Sequence, residues 1–459
     1  MHSTISQALS DYVHRIDFRQ LPPEVIDKTK ILFADWVASA VAGTRSEIAE
    51  KALQAVQDDL GDGSCTIVGT DRRTTPLMAA FVNGFTSHIW EYDDTHRNSL
   101  YHPAAPTIPA ALAAAEQERA SGEEFLVGLV AGYDVGIRIA DAINPAHYRF
   151  WHTTGTVGTF AAAAAAGRVL RLAPGEIADA LGNAGSQAAG LWEFQSSGAM
   201  TKPLHPGKAA MSGLLSAKLA RQGFTGALRI LEGDQGFCRA TAGECELSGI
   251  IRNLGSDYRI LEVTTKMYPS CGHTHTPIDA ALGIRRRLSD AVGNCSPSVI
   301  AGLVRRIVVH TNSVALRVAG ISNPRSSYEA KFSIPFCVSH GLLYGSPALE
   351  SFEKGYLDDA PTRQLMQRVS ITIDPKLEEV FRDKRPTEIQ VELNDGRVLQ
   401  ERVEFRRGDP ENPVSKDAIK EKFMGLVSRA VSGSEAESLW NACMRIDSAP
   451  DMSQAFLEG

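Results

Sequence analysis

Through roughly the first 265 residues, apolar positions recur every three to four places, the spacing that lines one face of an α-helix. The stretch "PPEVIDKTKILFADWVASAVAG" (22–43) opens on prolines, keeps that spacing and stops at Gly43. "TPLMAAFVNGFTSHIWEY" (75–92), "PAALAAAEQERA" (109–120), "GEEFLVGLVAGYDVGIRIADAI" (122–143) and "GTFAAAAAAGRVLRL" (158–172) continue it. The last is rich enough in alanine and glycine for its backbone to approach neighbouring helices closely. A helix apolar on most sides belongs inside a large helical domain. After residue 265 the texture changes. "VRRIVVHT" (304–311), "RVSITID" (368–374), "TEIQVEL" (387–393) and "RVLQERVEF" (397–405) are short β-branched runs bounded by turn signals such as Asn394-Asp395-Gly396. The two runs around "ELNDGRVL" read as a hairpin, and helical stretches "THTPIDAALGIRRRL" (274–288) and "IPFCVSHGLLYG" (334–345) lie between the others. The tail from "SKDAIKEKFMGLVSRAV" (415–431) is helical again. The pattern predicts a mainly α protein: a large all-helical domain from 1–265 plus 405–459, and a smaller α+β domain, 266–404, inserted in it.

Composition narrows the function classes. A chain of 459 residues is long enough for two cores, and 43% apolar with 22% charged residues is ordinary for a globular protein. The formal charge of −7 offers no basic footprint, so nucleic acid is not an expected partner. No apolar run reaches the ~20 residues that a membrane span requires. The start, "MHSTISQALSDYVHRIDF", is polar and amphipathic, without the apolar centre of a signal peptide. Seven scattered cysteines (Cys65, Cys238, Cys245, Cys271, Cys295, Cys337 and Cys443) contain no Cys-x-x-Cys pair. That argues against a disulfide framework, a zinc knuckle or an iron–sulfur cluster, and fits a reducing cytoplasm.

Four segments hold residues that can carry chemistry. In "HIWEYDDTHRNSLYHP", Asp93, Asp94, His96 and His102 can trade protons or bind a metal. The plain alternative is a helix end facing water, with a cap near Ser99. Interleaved Trp90, Tyr92 and Tyr101 point to burial instead, and buried charges need partners. In "HYRFWHTTGTVG", His152 is expected one turn before a helix, with Thr153 and Thr154 as caps and Tyr148 and Arg149 ahead of it. Such a place can hold a carboxylate, or can simply be a capped loop. In "SSGAMTKPLHPGKAA", Lys202, His205 and Lys208 are expected in a loop running into a helix near Ala209, either solvated or with Lys202 turned into a cleft. In "TTKMYPSCGHTHTPIDAA", Lys266, Tyr268, Cys271, His273 and His275 fall where the texture changes, and domain junctions favour ligand sites. A metal there lacks a fourth ligand pattern, and Cys271 lacks an acyl-transfer constellation, so no metal is expected. No phosphate-binding Gly-rich loop or dinucleotide fingerprint occurs, and "GNAGSQAAG" (182–190) marks close helix packing, so no organic cofactor is implied.

Taken in order, "DDTH…HPAAPTIPAALAAAE", "HTTGTVGTFAAAAAAGRVL", "ALGNAGSQAAGL", "TKPLHPGKAA", "GDQGF", "KMYPSCGHTH" and "EAKFSIPF" make nearly the whole chain resemble the MmgE/PrpD family. The resemblance implies a homodimer whose large helical domain is joined by a smaller α+β lid, with the active site between them and no cofactor. It implies action on small polycarboxylates, as 2-methylcitrate dehydratase, cis-aconitate decarboxylase or iminodisuccinate epimerase. By position it places the catalytic set on Asp93, His102, His152, Lys202 and Lys266. Substrate contacts are expected from His96, Tyr148, Arg149, His205, Cys271, His273 and His275. In that assignment the lysines and His102 and His152 bind carboxylates, Lys266 or a neighbouring histidine is the base, and Asp93 sets its protonation. Cys271 stands where decarboxylases carry a histidine, and "DDTH" and "LYHP" differ from the dehydratase pattern. The expected activity is therefore iminodisuccinate epimerase, with the decarboxylase and the dehydratase as alternatives and an inactive binding protein as a further one.

Overall fold

The computed structural model describes residues 4–293, 296–381 and 383–455, so Cys295 lies outside the described residues. Contacts divide the chain into two compact units. One comprises Met1–Ile89, Asp93–Thr265 and Ser415–Gly459, the other Trp90–Tyr92 and Lys266–Val414. The chain is 59% helical, as expected of a mainly α protein with a separate smaller unit. No pattern in the sequence signals that Trp90–Tyr92 belongs with the second unit.

The first unit is built of helices α1 (Ile5–Arg15), α2 (Pro23–Gly43), α3 (Glu47–Ala55), α4 (Pro76–Ser87), α5 (Ala104–Glu118), α6 (Gly122–Ile143), α7 (Thr153–Val169), α8 (Pro174–Gln187), α9 (Phe194–Ser197), α10 (Leu204–Arg221) and α11 (Phe237–Ala242). Local chemistry starts several of them. The Thr4 hydroxyl accepts from the Gln7 amide while the Gln7 side chain accepts from Thr4, and Ser121 and Glu124 repeat this reciprocal cap on α6. α7 is buried almost throughout and packs against α5, α6, α8 and α10. Small residues make that possible. A Cβ added to Gly213 of α10 would stand 2.4 Å from the Ala162 Cβ and 2.7 Å from the Ala163 amide nitrogen of α7. Of the threonines of α7, Thr159 donates to the Gly155 carbonyl at 3.0 Å within the helix, whereas Thr154 accepts from the His102 amide at 3.3 Å.

Several helix boundaries differ from the pattern reading. α4 stops at Ser87 rather than running to Tyr92, and Glu91 beyond it has a φ of 57°, outside the helical range. α5 begins at Ala104, with Pro109 inside it. α10 begins at Leu204, so His205 and Lys208 lie on the helix and not in a loop. Pro206-Gly207 reads as punctuation in isolation. In the fold, Gly207 lets α10 pass close to α4, since a Cβ there would lie 2.6 Å from the Phe81 carbonyl.

The tail returns to this unit. Met452 and Ala120 are joined by a backbone hydrogen bond of 2.9 Å, and Lys422 of the helix Lys416–Val427 reaches Asp35 of α2 at 2.6 Å with both side chains buried.

The second unit contains a four-stranded sheet in the order Val369–Ile373, Val304–Thr311, Thr387–Leu393, Val398–Val403. The first two strands are parallel and the other neighbours antiparallel. The predicted hairpin forms, closed by the Leu393 amide donating to the Arg397 carbonyl at 2.8 Å. Thr387–Leu393 alternates buried and half-buried positions along its length, the signature of a sheet with one covered face. Ile307, Val309, Ile389 and Val391 join Ile284 and Leu288 of α12 (His275–Val292) and Val338 and Leu342 of the helix Ile334–Tyr344 in one core. Among the described residues no helix is long and apolar enough to cross a membrane.

The α7–α10 contact sets a stability prediction. Gly213→Ala should destabilise the protein by roughly 2 kcal/mol, because the added methyl overpacks a crossing with no room to relax. A thermal midpoint equal to wild type would show that the crossing is looser than described.

Candidate active site

In the helical unit the candidate site is assembled from helix ends. His88 is the C-cap of α4, and the chain then turns through Asp93 and Asp94. Thr95–His96 pairs with Val263–Thr264, and the His96 amide donates to the Tyr101 carbonyl at 2.7 Å. This tight return brings His102, just before α5, back to Asp93. Asp93 Oδ2 lies 2.8 Å from His88 Nδ1 and 3.2 Å from His102 Nδ1, and the two rings meet edge-on at 4.8 Å. Asp93 is completely buried. Burial works to raise its carboxyl, but the two imidazoles outweigh that and hold it well below the usual carboxylate range. Burial likewise pushes His102 down to about 4, against the pull of Asp93. Asp93 is thus an ionised carboxylate in hydrogen-bond reach of His88 and in ion-pair reach of His102.

The neighbouring carboxyl behaves differently. Asp94 accepts from the Ala104 amide at 3.0 Å and from the Tyr133 hydroxyl at 2.8 Å. It thus satisfies the first turn of α5, whose N-cap, Pro103, offers no side-chain bond; the expected cap near Ser99 is not the one used. Burial, with the charges of Asp93 and Asp35, pushes Asp94 up to about 8 in spite of those two bonds.

The second pair of imidazoles lies beside the first. His152 is the N-cap residue of α7 without a side-chain cap bond, so Thr153 and Thr154 fall inside the helix rather than capping it. Its Nδ1 lies 2.9 Å from Nδ1 of His205, in the first turn of α10. The His152 ring stacks 5.7 Å from His88 and 4.8 Å from Trp192, with Phe194 at 6.2 Å. Lys202 is buried, and its charge bears on His102, His152 and His205. Asp93, His102, His152, Lys202 and His205 are thus brought together within one unit, with His88 added.

Other predicted contacts lie apart from this cluster. His96 has both ring nitrogens engaged elsewhere, Nδ1 with Ser99 at 2.7 Å and Nε2 with Glu262 at 3.0 Å. Tyr148 packs edge-on against Trp192 at 4.9 Å, one ring behind His152. Arg149 is exposed, its guanidinium 5.2 Å over Phe150.

In the α+β unit, Lys266 is fully buried and donates to the Glu91 carbonyl, with the Glu91 carboxylate 3.8 Å away. Lys331 donates to the Trp90 carbonyl at 2.9 Å and the Tyr92 hydroxyl to the Met267 carbonyl at 3.0 Å. The strap Trp90–Tyr92 is held by these three bonds. The Cys271 amide donates to the Lys331 carbonyl at 3.0 Å. His273 stacks 6.1 Å from Phe381 and is held well below its ordinary value by burial and then by Arg385, Arg406 and Arg317. His275, buried against Tyr268 at 5.1 Å, is depressed by burial and by the charge of Lys266.

Pattern reading passed over His88, the Asp35–Lys422 pair and Glu91. His88 stands in the same polar stretch as Asp93, five positions earlier, and a search for imidazoles around a suspected acid would find it. Nothing in the sequence marks Glu91, whose backbone carbonyl is the group used. Among the described residues, His88, Asp93 and His102 also form a grouping whose donor atoms lie within 4.8 Å of one another, a spacing that can hold a metal ion. The carboxylate oxygen shared by two ring nitrogens accounts for that spacing without an ion.

Comparison with known proteins agrees with the fold. The MmgE/PrpD N-terminal domain matches residues 7–249 and the MmgE/PrpD C-terminal domain residues 268–447. The chain belongs to the MmgE/PrpD family. It is 27% identical to the cis-aconitate decarboxylase-like protein oryM of Aspergillus oryzae, over 98% of this chain and 96% of that one. To the human cis-aconitate decarboxylase it is 28% identical, over 99% of this chain and 94% of that protein. The alkylcitrate dehydratase phiI of Talaromyces stipitatus is 26% identical over 42% of this chain and 41% of its own. These relatives are lyases by name, so the comparison supports an enzyme of lyase type and does not extend to an epimerase.

The buried Asp94 makes a pH prediction. Its carboxyl is raised in the folded state, so the stability it contributes is full below the unfolded value and is lost as pH rises to about 8. Asp94→Asn has no such proton to lose. Relative to wild type the variant should gain stability between about pH 4 and about pH 8, read as thermal midpoints at each pH. A constant difference across that range would contradict the assignment.

Proposed function

We propose that this protein acts on a small polycarboxylate at the carbon next to a carboxylate, using its own side chains. Such a C–H bond is only feebly acidic, and the reaction needs both a positioned proton-transfer group and cations for the developing charge. The observation that carries the reading is the Asp93 carboxylate shared by His88 and His102 beside the buried Lys202. His102, with its Nδ1 3.2 Å from the Asp93 carboxylate, is the favoured proton-transfer group. Lys202 and His152 would hold carboxylates. Lys266, an ammonium donating to a carbonyl beside a carboxylate, suits a charge-neutralising role better than that of a base.

The carbanion can arise either by loss of CO2 or by loss of the C–H proton, which allows three outcomes. Breaking the C–C bond to a carboxylate releases CO2 and leaves the electron pair on carbon for a protonated residue to quench. Expelling a β-hydroxyl gives dehydration, and reprotonation on the opposite face gives epimerisation. Near-full-length similarity to decarboxylases favours the first, on a substrate of the cis-aconitate type. Epimerisation, as of iminodisuccinate, is the second reading, favoured by Cys271 where decarboxylases carry a histidine.

Incubation in D2O with cis-aconitate, 2-methylcitrate and iminodisuccinate, followed by proton NMR, separates these. CO2 release from cis-aconitate supports the first reading. Deuterium exchange and inversion of iminodisuccinate alone would move the assignment to the second, and no change in any of the three would sink the enzymatic reading. On the active substrate, His102→Asn should lower turnover ~100-fold or more, and a near-normal rate would remove His102 from the proton transfer.

A further inference from the structure

We propose that the His152–His205 imidazole pair takes up a proton when a polycarboxylate binds, so that the cation meeting the guest's charge is made on binding. This rests on the polycarboxylate reading above. At 2.9 Å the two Nδ1 atoms can be joined only by an N–H···N bond, one ring donating and the other accepting. The donating ring keeps a lone pair on Nε2. A proton added there leaves the Nδ1–H···Nδ1 bond in place and makes it charge-assisted, so loading requires no ring rotation.

The surroundings keep the pair neutral until a negative charge arrives. The groups that act most on His152 are His205 and Lys202 of the segment entering α10, His88 at the end of α4, and His102 before α5. Those acting on His205 are His88, Lys202 and Lys208. No carboxylate is among them; Asp93 faces His88 and His102 instead. Trp192 and Phe194 cover the pair with apolar surface, at 4.8 and 5.4 Å from the nearer imidazole. Burial first, then the neighbouring imidazoles and lysines, pushes His205 down to about 4 and His152 well below its ordinary value. A carboxylate seated at Nε2 reverses that balance, because opposite charge in a buried place favours the protonated ring. Binding should then weaken as pH rises, about tenfold per pH unit while one proton is taken up.

Isothermal titration of citrate into the protein near neutral pH, in several buffers of different ionisation heat, reads the number of protons absorbed. Wild type should take up about one proton more than His205→Asn, with citrate still bound by both. The difference cancels any proton that citrate itself acquires. His205→Gln gives a second variant should the asparagine form fail to fold. Equal uptake by wild type and variant, or none by either, overturns the proton-loading pair while leaving the polycarboxylate reading intact. Failure of both citrate and cis-aconitate to bind wild type at all overturns that reading, and this inference with it.

Discussion

Three of the buried carboxyl groups of the helical unit, Asp35, Asp93 and Asp94, act on one buried ammonium, Lys422. A buried charge is tolerated only when it is paired or neutralised, and the three are handled in three ways. Asp35 takes the ion pair with Lys422. Asp94 accepts from a helix-end amide and a tyrosine hydroxyl and holds on to its proton. Asp93 stays ionised because two imidazoles point at one of its oxygens. The site therefore depends on α2, α4, α5 and the helix Lys416–Val427 arriving together.

The four imidazoles of the cluster sit at helix ends. His88 closes α4, His102 precedes α5, His152 caps α7 and His205 lies in the first turn of α10. Helices crossing on small residues can move little against one another, so their ends become fixed points from which short side chains meet within hydrogen-bond reach. Rigidity is what lets two Nδ1 atoms stay 2.9 Å apart and lets one carboxylate serve two rings. The same packing desolvates His102, His152 and His205 and holds all three below the ordinary imidazole value.

The smaller unit treats its cations differently. Lys266 and Lys331 donate to backbone carbonyls of Trp90–Tyr92, so each lysine carries part of a structural strap whatever else it does. A lysine in such a motif reads in sequence as an obvious catalytic candidate. Its neighbours turn that reading towards charge neutralisation, because its Nζ donates to the Glu91 carbonyl and lies 3.8 Å from the Glu91 carboxylate.

The amino-acid sequence by itself determined the succession of helices, the hairpin at Asn394-Asp395-Gly396 and the polar segments that carry Asp93, His102, His152, Lys202 and Lys266. Periodicity and turn chemistry are local, and these features depend on little else. It did not reveal that α10 starts at Leu204, since a Pro-Gly pair reads as a break until a neighbouring helix is seen to need the space. Nor did it reveal His88 as a partner of Asp93, or Asp94 as the acceptor at the start of α5. Only the tertiary structure decided those, because which imidazole a carboxylate meets, and whether it keeps its proton, follows from burial and from groups contributed by distant segments.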